Sequence, residues 1–178
     1  MIIHDLVPVE HRIKLQNIIS SNTFNWKFFA DSVGEGMDSV FQFIHLVNLN
    51  GEAMSPYNDD ILVILNYFEM RTGLKVKNIY RVKVNLLTRR ETSKEEHLRT
   101  LHQDLEHSKN YVSMVYYVND SDGDTVIYDD EGVEIERCSP KAGNAVFFMS
   151  DMQHAGTIPQ ENDTRVVINF VFEIEENV

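Results

Sequence analysis

Three side chains in the second half of the sequence have the types and spacing of a metal site. His102 and Asp104 are two residues apart, and in an extended segment residues two apart point to the same side of the chain. His154 follows about fifty residues later, directly after an apolar run, where a returning strand can bring it beside the first two. Two imidazoles and one carboxylate suit Fe(II) with open positions for a co-substrate and dioxygen, although zinc accepts the same ligands.

Arg165 adds a requirement for an anion. It begins the run Arg165-Val-Val-Ile-Asn-Phe-Val-Phe172, which has the composition of a buried strand. A buried guanidinium is costly unless an anion meets it, and its planar fork suits a carboxylate. The sequence therefore implies an anionic ligand at Arg165.

The order His102-x-Asp104, His154, Arg165 resembles the 2-oxoglutarate- and Fe(II)-dependent dioxygenases. The resemblance is to their prolyl-hydroxylase-like branch, and in particular to small stand-alone members from bacteria and phages. Three further segments resemble the family in the same order, namely residues 111–119, 123–128 and 140–148. The likeness covers roughly residues 80–173.

The resemblance implies a role for each candidate residue. His102, Asp104 and His154 would hold Fe(II), which would chelate 2-oxoglutarate. Arg165 and Tyr117 would hold the far carboxylate of this co-substrate. Two more candidates for co-substrate binding are Asn85, on the strand that precedes the metal ligands, and Asn169, which shares a face with Arg165.

The implied reaction consumes dioxygen and 2-oxoglutarate, releases succinate and carbon dioxide, and hydroxylates a C–H bond. The implied substrates are a prolyl or other protein or peptide side chain, or a small molecule. Two alternatives stay open from the residues alone. One is a non-enzymatic cupin-like metal- or ligand-binding module, since a fold does not fix a function. The other is a metal-dependent dioxygenase that does not use 2-oxoglutarate.

The remaining patterns predict the elements that position these residues. Helices are expected over residues 8–21 and from Ser55, as N-cap, to Gly73, with strands at 24–29, 41–47 and 76–87. In the last of these, Val82, Val84 and Leu86 alternate with a polar set that we expect to face the cavity. Short strands separated by turns follow from residue 111.

The predicted fold is therefore mainly β, a double-stranded β-helix (jelly roll) with N-terminal helices packed outside. A length of 178 residues with 43% apolar residues favours a single domain over 1–178, with residues 1–75 as support and 76–175 as the jelly-roll core. The lone cysteine, Cys138, fits a reducing compartment, and no apolar stretch is long enough for a membrane span. We expect a cytoplasmic protein.

The charge is unevenly distributed. The formal net charge of −12 argues against a nucleic-acid partner. Between Arg71 and Arg99, however, nine basic residues stand against three acidic ones, a local net charge of +6. Part of this segment, residues 88–100, is polar and predicts a mobile loop that closes over the cavity, with Arg89 and Arg90 meeting an anionic substrate. Ordinary solvated surface is the alternative.

Overall fold

The computed structural model describes residues 1–30, 41–91, 101–106 and 109–175. Two helices and eleven strands lie in this part of the chain. In order they are β1 (Ile2–Ile3), α1 (Val9–Ile19), β2 (Lys27–Phe29), β3 (Gln42–Leu49), β4 (Glu52–Ala53), α2 (Asn58–Thr72), β5 (Val76–Thr88), β6 (Tyr111–Tyr117), β7 (Thr125–Tyr128), β8 (Glu134–Cys138), β9 (Ala145–Met149), β10 (His154–Gly156) and β11 (Thr164–Ile174). The predicted loop over 88–100 falls largely on residues 92–100, which lie outside the described residues.

The strands form two antiparallel sheets. The larger one has the order β1-β9-β6-β11-β5-β3-β2, with β4 paired to β3, and the smaller one has the order β10-β7-β8. Side chains of both sheets meet in one apolar cluster, which includes Val146 and Val167 from the larger sheet and Ile127 from the smaller. The predicted jelly roll is confirmed, because two facing antiparallel sheets enclose the space where the candidate site residues lie.

The helices cover the other face of the larger sheet. On α2, the buried residues Ile61, Ile64, Leu65 and Phe68 form one stripe, as the sequence predicted. The Phe68 ring contacts the rings of Phe147 and Phe172 at centroid distances of 5.2 Å. Gly73 ends the helix with a φ of 76°, a left-handed conformation that favours glycine. None of the helices in the described residues is long and apolar enough to span a membrane.

The predicted N-cap of α2 at Ser55 is wrong. The helix begins at Asn58, and Tyr57 precedes it without a side-chain cap. The Ser55 hydroxyl is used elsewhere, since its Oγ accepts the Tyr57 backbone N–H at 3.1 Å and lies 2.7 Å from His45 Nε2. A serine followed by proline thus forms a turn that anchors a buried histidine, and the helix starts after it.

Strands β5 and β11 alternate as the sequence predicted. Val82, Val84, Ile168 and Phe170 face the helices. Their neighbours face the smaller sheet, and the register places Lys83 opposite Asn169, Asn85 opposite Val167 and Leu87 opposite Arg165. These two central strands therefore present a row of polar and charged side chains to the interior between the sheets.

Candidate active site

His102, Asp104 and His154 come together as the sequence predicted. One ligand atom from each lies within 4.8 Å of the other two, and the imidazole centroids of His102 and His154 are 4.3 Å apart. The three residues come from the segment before β6 and from the first position of β10. They are the one group of three potential ligands found in the described part of the chain.

The two histidines are joined through their backbones. The His102 N–H donates to the His154 carbonyl at 3.0 Å, and the His154 N–H donates to the His102 carbonyl at 2.9 Å. His102 is thus an isolated bridge residue at the edge of the smaller sheet, not part of a regular strand. The Asp104 N–H donates to the Ser150 carbonyl at 3.1 Å, which fixes the carboxylate two residues on.

Both carboxylate oxygens of Asp104 are engaged by side chains of the larger sheet. Ser113 Oγ donates to Oδ2 at 2.7 Å, and Arg81 Nη2 donates to Oδ1 at 2.5 Å. The Asp104 side chain is only 1% exposed. Burial alone would raise the pKa of Asp104, but His154 in its protonated form, the Arg81 charge and the Ser113 hydroxyl outweigh it and lower the pKa to about 2. The carboxylate is therefore ionised at any physiological pH.

His154 has the form of a neutral metal ligand. Its Nδ1–H donates to the Met152 carbonyl at 3.0 Å, so the lone pair sits on Nε2. Nε2 is buried without a hydrogen-bond partner in the described structure and lies 3.6 Å from Asp104 Oδ2. Burial and the neighbouring His102 lower the pKa of His154 to about 4. An orphaned acceptor aimed at a carboxylate fits a cation bound between them.

Arg165 is buried between the two sheets, and its partners are neutral. It is 5% exposed, its Nε donates to the Gly123 carbonyl at 2.7 Å, and its Nη2 donates to Thr125 Oγ1 at 2.9 Å. Across the described residues it forms no ion pair, and burial lowers its pKa. The guanidinium lies against Gly156, where a Cβ would stand 3.2 Å from Nη1. A buried cation with uncharged partners fits an anionic ligand.

Tyr117 lies on β6 beside β11, where it pairs with Val167. Its hydroxyl donates to the Cys138 carbonyl at 3.4 Å, a long bond. Burial raises the pKa of Tyr117 above its usual value although the Arg165 charge opposes this. The phenol therefore stays a neutral donor close to the guanidinium, as a carboxylate-binding residue requires.

Asn85 and Asn169 also face the interior. Both side-chain Oδ1 atoms are buried without a hydrogen-bond partner in the described structure. Asn169 is 7% exposed. They lie on adjacent strands, where Asn85 pairs with Val167 and Asn169 pairs with Lys83, so both belong to the wall between Arg165 and the metal-site residues.

The comparisons with known proteins agree with this site. A family model described as the 2OG-Fe(II) oxygenase superfamily matches residues 87–173, which include the three candidate ligands, Tyr117, Arg165 and Asn169. The match spans 87 of the 178 residues, just under half of the chain. The matched superfamily is one of oxygenases that use Fe(II) and 2-oxoglutarate. No curated protein sequence matches the chain.

Solved structures show the same fold. A prolyl-4-hydroxylase from Pseudomonas putida is 15% identical with a TM-score of 0.62, over 99% of this chain and 92% of that one. A 2OG-Fe(II) oxygenase family oxidoreductase from Burkholderia pseudomallei is 12% identical with a TM-score of 0.71, over 97% and 84%. A prolyl hydroxylase from Trichoplax adhaerens, in complex with a hypoxia inducible factor peptide fragment, is 13% identical with a TM-score of 0.62, over 97% and 82%.

Sequence reasoning did not single out the side chains that surround Asp104. Arg81 and Ser113 contact its carboxylate directly, and Lys83 lies close enough for its charge to act on it. A signal was present, because the alternation in β5 places Arg81 and Lys83 on the same face as Asn85. The register that brings this face to the triad is a tertiary feature and was not readable from the sequence.

Proposed function

We propose that His102, Asp104 and His154 hold the Fe(II) of this oxygenase. The observation that carries this is the buried Nε2 of His154, which has no hydrogen-bond partner among the described residues and faces the ionised Asp104 carboxylate. When bound, the metal and 2-oxoglutarate supply the oxidation: dioxygen is consumed, succinate and carbon dioxide are formed, and one oxygen atom enters a substrate C–H bond. The side chains of the protein bind and orient the metal and the co-substrate and exclude water.

Arg165 and Tyr117 would bind the 2-oxoglutarate carboxylate farther from the metal. Arg165 offers a charge-assisted fork, and Tyr117 offers a neutral hydroxyl beside it. The Gly123 carbonyl and the Thr125 hydroxyl hold the guanidinium in place before the ligand arrives. This preorganisation reduces the cost of ordering the arginine on binding.

The residues around Asp104 and His154 would keep both side chains in the orientation that binds the metal. Arg81 and Ser113 fix both carboxylate oxygens, and the Met152 carbonyl fixes the His154 tautomer. The apolar cluster between the sheets, which includes Val115, Val146 and Phe148, excludes water from the interior next to them. Water exclusion protects an oxidising reaction from uncoupled side reactions.

For the substrate we propose a C–H bond of a prolyl or other peptide side chain. The support is the likeness of fold to two prolyl hydroxylases, one of them solved with a peptide fragment. Turnover of proline-containing peptides, followed by mass increase of one oxygen atom, tests this class. If only free amino acids or other small molecules gain oxygen, the substrate is a small molecule instead.

The metal assignment is tested by Asp104→Ala. The change removes the single charged ligand, so we expect the bound Fe(II) after dialysis to fall from about one ion per chain to a small fraction of that. Asp130→Ala is the matched control, because Asp130 is exposed in the turn between β7 and β8. Unchanged iron content in the Asp104 variant, with succinate still formed, would contradict the assignment.

A further inference from the structure

Lys83 is a cation in the interior of the fold that has no partner among the described residues. It is partly buried on the face of β5 that points between the sheets. Its neighbours on the same strand are paired, since Lys77 Nζ lies 2.7 Å from Glu173 Oε1 and Arg81 pairs with Asp104. No hydrogen bond or ion pair to Lys83 forms among the residues that the structure describes. A buried ammonium group without a counter-ion destabilises the fold unless a ligand pairs with it.

The position of Lys83 places it at the metal end of the cavity. Its charge acts on both Asp104 and His154. Asn169 lies directly opposite on β11, and Asn85 is the next residue on the same face of β5. The buried Oδ1 atoms of both asparagines lack partners in the described structure. Because Oδ1 only accepts hydrogen bonds, each asparagine would meet an anion through its Nδ2 donors, beside the Lys83 ammonium.

Arg165 and Lys83 stand at opposite ends of the same inner face. Arg165 pairs with Leu87, which is four residues from Lys83 along β5. At the rise of a β-strand this is a separation of about 13 Å between Cα positions. Across this separation, the two long side chains could bind opposite ends of a molecule of a few carbon atoms that carries a negative charge at each end.

We propose that Lys83, flanked by Asn85 and Asn169, forms a second carboxylate-binding site of the cavity, at the metal end and opposite Arg165. This inference rests on the proposed function of the triad and of Arg165. The carboxylate belongs either to 2-oxoglutarate, as the end not held by Arg165, or to the substrate that is oxidised. The chemistry is the same in both cases: an ammonium ion pair with two amide groups beside it.

The electrostatics of the site agree with an anion at this position. Burial, together with the charge of Arg81, lowers the pKa of Lys83 to about 8, and Asp104 opposes this shift. At neutral pH the amine is still mostly protonated. An anion placed between this ammonium and a bound metal cation relieves the repulsion between the two.

The test compares three variants: Lys83→Met, Lys83→Arg, and Lys77→Met as a matched control on the exposed face. Calorimetric titration of 2-oxoglutarate into protein loaded with Mn(II) should show affinity at least about tenfold weaker for Lys83→Met. Lys83→Arg should stay close to wild type, since the charge is kept, and Lys77→Met should be unchanged. The Tm of Lys83→Met without ligands should equal or exceed that of wild type, because no protein partner is lost.

A second measurement separates the two sources of the carboxylate. Protein saturated with Mn(II) and 2-oxoglutarate is titrated with acetate at constant ionic strength, and the rise in Tm is recorded. If Lys83→Met binds 2-oxoglutarate like wild type but loses the acetate effect, the carboxylate is that of the substrate.

The proposal is overturned if Lys83→Met changes neither response, or if it lowers the Tm of the ligand-free protein and Lys83→Arg does not restore binding. Failure of the proposed function would look different. In that case wild type itself would bind neither Mn(II) nor 2-oxoglutarate, whatever stands at position 83.

Discussion

Arg165 is buried, and burial disfavours the charged form of its guanidinium. Its described partners are a backbone carbonyl and a hydroxyl, and the guanidinium lies flat against Gly156. A Cβ at this glycine would stand 3.2 Å from Nη1 and 3.3 Å from Cζ. The absence of a side chain at position 156 thus leaves the space that the Arg165 guanidinium occupies in the proposed carboxylate site.

We expect Gly156→Ala to weaken 2-oxoglutarate binding about tenfold while metal binding persists, because the methyl group displaces the guanidinium by a few tenths of an ångström. Arg165→Met should cost more, about 2–5 kcal/mol, since a buried charge partner is lost. Calorimetry on protein loaded with Mn(II) measures both. Gly132→Ala, in a distant turn with a φ of 77°, should lower stability and leave affinity intact. An affinity loss in that control equal to the loss in Gly156→Ala would refute the local explanation.

The sequence was sufficient to predict that His102, Asp104 and His154 lie together and that Arg165 is buried, because these features depend on residue type and short spacing. It was not sufficient for the partners of Asp104. Ser113 and Arg81 reach that carboxylate from two different strands of the larger sheet. Which strands lie side by side is decided by the whole fold, so these contacts have no local signature.

Two loops are joined by one carboxylate. Asp122, between β6 and β7, accepts the backbone N–H groups of Gln160, Glu161 and Asn162 at 2.8, 2.9 and 3.0 Å. The first loop also supplies the Gly123 carbonyl that holds Arg165. Asp122 therefore connects the loop between β6 and β7, which holds Arg165, to the loop between β10 and β11.

Asp122→Ala should lower the free energy of unfolding by about 1–2 kcal/mol at pH 7, because three bonds to a charged acceptor are lost. Burial opposes ionisation of Asp122, but the backbone N–H groups outweigh it and lower its pKa. A lowered folded-state pKa means that the stabilisation is complete above the unfolded value of about 4 and disappears as the pH falls through the folded value. Denaturant titrations of wild type and variant at several pH values should therefore converge in acid. A constant difference down to pH 2 would contradict this.

Elements with a clear period were predicted well, and very short ones were not. The alternation in β5 and β11 and the end of α2 at Gly73 are local features that the structure retains. Strands β1 and β4 have two residues each, too few for any period, and exist because β9 and β3 offer them an edge. The N-cap prediction at Ser55 was wrong because the Ser55 hydroxyl has a tertiary partner in His45.

Strands from before residue 76 are built into the same sheet as the later ones. β1 pairs with β9, and β3 pairs with β5. One apolar cluster contains residues of both helices together with Val82 and Phe170 from the central strands. We therefore expect the predicted support, residues 1–75, and the predicted core, residues 76–175, to unfold in one transition.

The single tryptophan provides a test of this expectation. Trp26 is partly buried and packs against the cluster from the N-terminal side. Its fluorescence and the far-UV circular dichroism of the sheets should change at the same urea concentration, as in a two-state transition. With Mn(II) present, 2-oxoglutarate at about a hundred times its Kd should raise the free energy of unfolding by about 2.7 kcal/mol in both measurements. An earlier change in the fluorescence would show that residues 1–75 unfold separately.

The paired backbone bonds between His102 and His154 have a consequence for how the metal site fails. Each histidine both donates to and accepts from the other, so neither can leave while the other keeps its bonds. The segment before β6 and the start of β10 are thereby held together at the backbone. We therefore expect the two backbone segments to separate together when the proposed metal site opens, so that hydrogen exchange of the His102 and His154 amides should occur in one step.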